Sequence, residues 1–285
     1  MTGNGYLISA EDLHVALSTE DLVVVDCRFD LADKSAGRTA YEAGHIPAAV
    51  YADLDNDLAA PVGPTTGRHP LPDAVLLAET FGRLGISEHS RVVVYDTASG
   101  GIAARCWWLL RWLGNNRVQL LDGGFKAWQS SGFAVRGGIE HRSGVTFTPS
   151  PRHELVLTTA DLEEALARGE GITLVDARDA ARFRGEVEPI DPVAGHVPGA
   201  RSLPFTDFLK PDGTWLDENS RTALWHGLFG APPATPWAVM CGSGVTACHL
   251  VISALEARLP EPRLYVGSWS EWITNPDRPV AQGGC

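Results

Sequence analysis

Cys241 ends a short apolar run, Trp237–Met240, and opens the loop Cys-Gly-Ser-Gly-Val-Thr, which leads into the helical pattern "ACHLVISALEA". Cysteine is the most nucleophilic of the common side chains, and only as the thiolate. Gly242 and Gly244 allow backbone angles that other residues resist, so the loop can turn several N–H groups inward. A tight turn of N–H groups at a helix start favours an anion. With Val245 as a further N–H and Ser243 and Thr246 as hydroxyls, the loop suits a thiolate and a bound anion. The competing reading is a buried cysteine ahead of an ordinary helix cap. A second copy of the loop weighs against it: "VVVYDTASGG" puts Asp96 in the equivalent place, 145 residues earlier. The fold does not require cysteine there, so the copy that has it is specialised.

The elements that carry the loop occur twice, in the same order. "SAEDLHVAL" at Ser9 answers "TADLEEALARG" at Thr159, both amphipathic helices opened by a capping hydroxyl. "LVVVDCR" answers "ITLVDAR", "YEAGHIPAAVY" answers "PVAGHVPGARSLPF", and "LLDGGFKAW" answers "LYVGSWSEW". Asp26 and Asp176 are 150 residues apart, Gly44 and Gly195 151, and Trp128 and Trp272 144. Ordered matches at near-constant offset indicate duplication. Apolar strands alternate with helices in each half, so each is expected to be an α/β domain with a mainly parallel sheet flanked by helices. The boundaries read as 1–136, a linker at 137–154, and 155–285, with the thiol only in the second domain. Ligands of such sheets gather beyond the carboxyl ends of the strands, where Cys241 falls. His45, His196, Asp26 and Asp176 occur in both copies and are read as structural.

The chain has 285 residues and a net charge of -12. That balance argues against nucleic acid or an anionic membrane surface as partner, though not against a small anionic substrate in a local pocket. No apolar run approaches the roughly 18 residues of a membrane span, and the N-terminus lacks the pattern of a secretory signal. The five cysteines, Cys27, Cys106, Cys241, Cys248 and Cys285, form no CxxC pair. A disulfide scaffold and a four-ligand zinc site are therefore not expected, and a reducing cytoplasm is.

The repeat, the "AGHIP" and "AGHVP" segments, "DGGFKAW" and "GSWSEW", and "CGSGVTA" together resemble the two-domain rhodanese-type sulfurtransferases along nearly the whole chain. The loop resembles the 3-mercaptopyruvate sulfurtransferase branch; thiosulfate-specific members typically carry basic residues just after the cysteine. The resemblance implies two tandem rhodanese-like domains and transfer of sulfur from a small anionic donor through a Cys241 persulfide, with pyruvate released. The acceptor would be a thiol, a thioredoxin-like protein or cyanide, and no metal or organic cofactor is implied. It assigns Arg182 to the donor carboxylate, and Ser243, His69 and Asp55 to a proton relay, with Gly242, Gly244, Val245 and Thr246 lining the loop. One departure stands out. The family's second arginine, after the Glu-Pro step, is here Ile190, so Arg184 or another cation would have to compensate. Thiosulfate as donor and a non-catalytic persulfide carrier are the alternatives. A cysteine phosphatase is disfavoured, since the sixth position after Cys241 is Ala247 rather than arginine.

Overall fold

The run Leu22–Asp26 is buried along its whole length, the mark of a strand covered on both faces. In the computed structural model, which describes residues 5–17, 22–169, 171–231, 233 and 236–284, it is one of ten strands in two sheets. The described residues fall into two compact units. The first takes in 1–60, 72–152 and 210–215, and the second 61–71, 153–209 and 216–285. Two segments thus leave their sequence neighbours, and one of them, 61–71, matters for the chemistry.

The first unit runs β1 (Leu7–Ile8), α1 (Ala10–Ala16), β2 (Leu22–Asp26), α2 (Ala36–Ala43), β3 (Val50–Tyr51), α3 (Ala74–Arg83), β4 (Arg91–Tyr95), α4 (Ala103–Trp112), β5 (Val118–Leu121) and α5 (Gly124–Ser130). Its sheet has the order β1-β5-β4-β2-β3, and all pairs are parallel. Leu22 and Val24 of β2 share a core with Leu13 of α1 and Phe125 and Trp128 of α5. The alternate residues Val23 and Val25 point the other way and are buried as well, so helices close both faces.

The second unit repeats this plan. It runs β6 (Val156–Leu157), α6 (Thr159–Ala167), β7 (Thr173–Asp176), α7 (Ala180–Arg184), β8 (Arg201–Ser202), α8 (Glu218–Phe229), β9 (Trp237–Met240), α9 (Ala247–Glu256), β10 (Arg263–Tyr265) and α10 (Ser268–Trp272). The order β6-β10-β9-β7-β8 matches the first sheet strand for strand, again all parallel. The hydroxyl that opens α6 belongs to Thr158, one residue before the expected Thr159, in a capping box with Asp161. Thr159 instead donates to Glu271 Oε1.

The residues shared by both copies hold matching positions. Asp26 and Arg28 form a buried ion pair at 2.6 Å, and Arg28 also donates to Gly44 O. Asp176 and Arg178 do the same at 2.7 Å, with Gly195 O. His45 Nδ1 lies 2.8 Å from Tyr41 O, and His196 Nδ1 2.7 Å from Phe183 O. Each histidine stacks on that same neighbour's ring. These four residues fasten the turn after the second strand of each sheet, as their double occurrence implied. No helix among the described residues is long and apolar enough to cross a membrane.

Candidate active site

Strand β9 ends at Met240, and Cys241 is the next residue, at the carboxyl edge of the sheet. It is buried, and its N–H donates to Ser268 Oγ at 3.1 Å. Its carbonyl accepts from Trp269 N at 3.0 Å and the carbonyl of Gly242 from Ser270 N at 2.8 Å, so the start of α10 holds the loop. Gly244 has φ +74°, the left-handed angle that reverses the chain before α9. Among the described residues, the N–H groups of Gly242, Ser243, Val245 and Thr246 have no protein acceptor.

The first unit shows what such a loop binds. Asp96 follows β4 as Cys241 follows β9. Its Oδ1 accepts from Ala98 N and Gly100 N, both at 2.8 Å, and its Oδ2 from Ile102 N at 2.8 Å and Ala103 N at 2.7 Å. Ser99, the counterpart of Gly244, is also left-handed, at φ +54°. Burial pushes the Asp96 carboxyl above its usual range against the pull of these four donors. The repeated loop is therefore an anion cradle. In one copy a carboxylate of the protein fills it, and in the other the residue at the same place is Cys241.

Within the second unit, the 61–71 segment meets the loop that Cys241 opens. Ser243 Oγ lies 2.7 Å from His69 Nδ1, and both residues are buried. His69 comes from the 61–71 segment, which is part of the second unit. That segment approaches α10 closely: a Cβ on Gly67 would stand 2.8 Å from Gly267 O and from Ser270 Oγ, and Arg68 N donates to Ser270 Oγ. Asp55 belongs to the first unit, where its carboxylate meets Lys34 Nζ at 2.6 Å.

Arg182, on α7, donates through Nε and Nη2 to Glu188 and through Nη2 to Asp191 at 3.2 Å. Burial raises the Glu188 carboxyl, but bonds from Arg182 and from Asp191 N and Ile190 N outweigh it and leave Glu188 below its usual value. Burial dominates at Asp191 and lifts it above the usual range despite Arg68 and Arg182 beside it. Arg184 does not supply the extra cation, because it pairs with Glu186 at the exposed end of α7. Sequence reasoning missed Arg68, Asp191, Glu188 and Ser268. The only signal for Arg68 was its place beside His69 in "TGRHP".

Cys27, Cys106 and Cys248 are free and buried; Cys248 Sγ lies 3.4 Å from Gly244 O within the turn of α9. Cys285 lies outside the described residues. Among the described residues no cluster of His, Cys, Asp and Glu has the makings of a metal site.

Two units of one parallel topology, one closing its strand-to-helix loop on a cysteine and the other on an aspartate, define a tandem α/β protein of the rhodanese class. The chain belongs to the rhodanese-like family: the model of the rhodanese-like domain matches residues 9–131 and 158–275. It is 48% identical over 279 residues to a Pseudomonas aeruginosa protein named "Probable 3-mercaptopyruvate sulfurtransferase", covering 97% of this chain and 98% of that one. It is 39% identical over 282 residues to the Mycobacterium tuberculosis protein named "Putative thiosulfate sulfurtransferase SseB", covering 97% of each. Among solved structures it is similar to SseA from Escherichia coli, described among 3-mercaptopyruvate sulfotransferases, with a TM-score of 0.82 at 29% identity over 94% of this chain and all of that one. The chain is an enzyme of the sulfurtransferase class.

Proposed function

We propose that the chain moves sulfur from 3-mercaptopyruvate to a thiol-type acceptor through a persulfide on Cys241, releasing pyruvate. The observation that carries this reading is the pair of cradles. The turn that binds a carboxylate at Asp96 recurs after Cys241, one residue shorter before its helix, and there the N–H groups of Gly242, Ser243, Val245 and Thr246 are the ones left to meet a thiolate, and then the outer sulfur of a persulfide.

In the first half-reaction the Cys241 thiolate attacks the donor's sulfur. The S–S bond forms as the C–S bond breaks, and the electron pair passes to carbon as the enolate of pyruvate. The donor's thiol proton ends on that carbon, so sulfur is oxidised and carbon reduced by the same two electrons. Ser243, held by His69 at 2.7 Å, is the group that hands over the proton. The family resemblance assigns Asp55 to the same relay. Gly242, Gly244, Val245 and Thr246 shape the cradle, and Arg182 takes the donor's carboxylate through a planar fork that suits it. In the second half-reaction an acceptor thiolate, small or on a thioredoxin-like protein, or cyanide, removes the outer sulfur and restores the Cys241 thiolate. The free, buried cysteines suit a reducing cytoplasm.

Thiosulfate is the rival donor, favoured by the name of the Mycobacterium tuberculosis relative. The loop after Cys241 is neutral, and a dianion would gain from cations there. Steady-state kinetics with both donors and one acceptor test the choice. The expected result is a higher kcat/KM for 3-mercaptopyruvate; a higher value for thiosulfate would reverse the assignment.

A further inference from the structure

Ser268 is fully buried at the start of α10, and its backbone is left-handed, at φ +53°. That angle is disfavoured for any residue with a side chain, and one kept there in spite of it points to a use for the side chain. The same position of the first unit is Gly124, also left-handed, at φ +58°. A Cβ there would run into Asp96 O, so the first unit needs glycine. The residue before it differs too: Gly267 has φ −69° where Gly123 has +69°. The second unit thus enters its helix by another turn, one that admits a Cβ.

The hydroxyl is fully engaged. Ser268 Oγ donates to Tyr265 O at 2.8 Å and accepts from Cys241 N at 3.1 Å. Its proton is committed to the end of β10, which leaves a lone pair for the N–H of Cys241. The carbonyl of Cys241 is held as well, by Trp269 N at 3.0 Å. Both peptide groups that flank the Cys241 Cα are therefore tied to the first turn of α10, and together they set the direction of its side chain. The carbonyl contact exists in both copies, since Phe125 N donates to Asp96 O at 2.8 Å. The hydroxyl contact belongs to the second copy alone.

The difference follows from what occupies each loop. Asp96 fastens itself, because its two oxygens accept from four N–H groups. A cysteine offers one sulfur, a weaker acceptor than a carboxylate oxygen, and it must leave room for the incoming sulfur. Its aim has to come from the backbone. We propose that Ser268 is the positioning residue of the nucleophile: its hydroxyl fixes the backbone of Cys241 so that Sγ, as thiolate and as persulfide, stays directed at the N–H groups of the loop. Ser268 touches no reacting atom. The assignment rests on Cys241 as the nucleophile, as proposed above, and is independent of the donor.

The test compares Ser268→Gly and Ser268→Ala with the wild-type enzyme. Both remove the hydroxyl, but glycine tolerates the left-handed angle and alanine does not. A reacting group misplaced by about 1 Å costs about a hundredfold in rate, so both variants are expected to lower kcat by roughly ten- to a hundredfold, with KM for the donor within about twofold. The single-turnover rate of persulfide formation on Cys241 should fall by the same factor as kcat. Ser268→Ala should melt below Ser268→Gly, while their kcat values agree. A folded Ser268→Gly that transfers sulfur at the wild-type rate overturns the proposal, as does a loss confined to KM. So does a kcat that follows the melting temperatures, low with alanine and restored with glycine, for then strain and not the hydroxyl matters. If Ser268→Ala does not fold, Ser268→Gly carries the test, because Gly124 shows a glycine in the matching left-handed position. A wild-type enzyme that forms no persulfide on Cys241 with 3-mercaptopyruvate or thiosulfate defeats the nucleophile reading itself, whereas variants that match a persulfide-forming wild type defeat only Ser268.

Discussion

Ser243 and His69 are 174 residues apart in sequence and 2.7 Å apart in space. Their proposed work, protonating the departing enolate, is one task shared by two side chains, so their removal should not be additive. Ser243→Ala and His69→Ala are each expected to lower kcat by about 10²–10⁴, the usual worth of a positioned proton donor, with little change in KM. The double variant should lose no more than the worse single one. Multiplying losses would mean that the two act separately. At this scale the sequence was read unevenly. Cys241, Gly242, Ser243 and Gly244 were legible because they are contiguous, and glycines around a cysteine after an apolar strand leave few other readings. Arg68 was illegible, because its partner Asp191 and the carbonyl of Gly267 beneath Gly67 come from distant parts of the sequence.

At the scale of the element, the strand–loop–helix is one device with two fillings. In the first unit the Asp96 carboxylate does what a bound anion would do and ties β4 to the start of α4 through four N–H groups. Asp96→Asn keeps an acceptor for two of them and turns an NH₂ toward the other two. Bonds to a charged group are worth about 1.5–3 kcal/mol each, so the variant should lose about 3–6 kcal/mol against urea. A loss below about 1 kcal/mol would show that the carboxylate does not hold the loop. Catalysis in the remaining folded protein should persist, because no reacting atom touches Asp96 in the proposed chemistry. The elements themselves were largely legible. Runs such as Leu-Val-Val-Val-Asp are too apolar and β-branched for anything but a strand covered on both sides. The cap of α6 fell one residue early, since two adjacent threonines, Thr158 and Thr159, fit the same pattern until Tyr265 and Glu271 take up the second.

At the scale of the molecule, duplication explains both the order and the asymmetry. The two sheets share one strand order, one buried Asp-Arg pair each and one fastened histidine each. The fold needed only those common residues, and the repeat exposed them from sequence alone. Chemistry then separates the copies: a thiol in one cradle, a carboxylate in the other. What the repeat could not reveal is the exchange of segments, because 61–71 sits in sequence within the first half and folds with the second. It carries Arg68, which no sequence pattern marked, and His69, which only the family resemblance marked. The central claim is that sulfur passes through Cys241 and no other cysteine. Intact-mass and peptide mass spectrometry after incubation with 3-mercaptopyruvate, without acceptor, test it most directly. The account predicts one added sulfur, on the peptide containing Cys241, lost on addition of a thiol and absent in Cys241→Ser, while Cys27→Ala, Cys106→Ala and Cys248→Ala still acquire it. Sulfur on another cysteine, or transfer at the wild-type rate by Cys241→Ser, would contradict it.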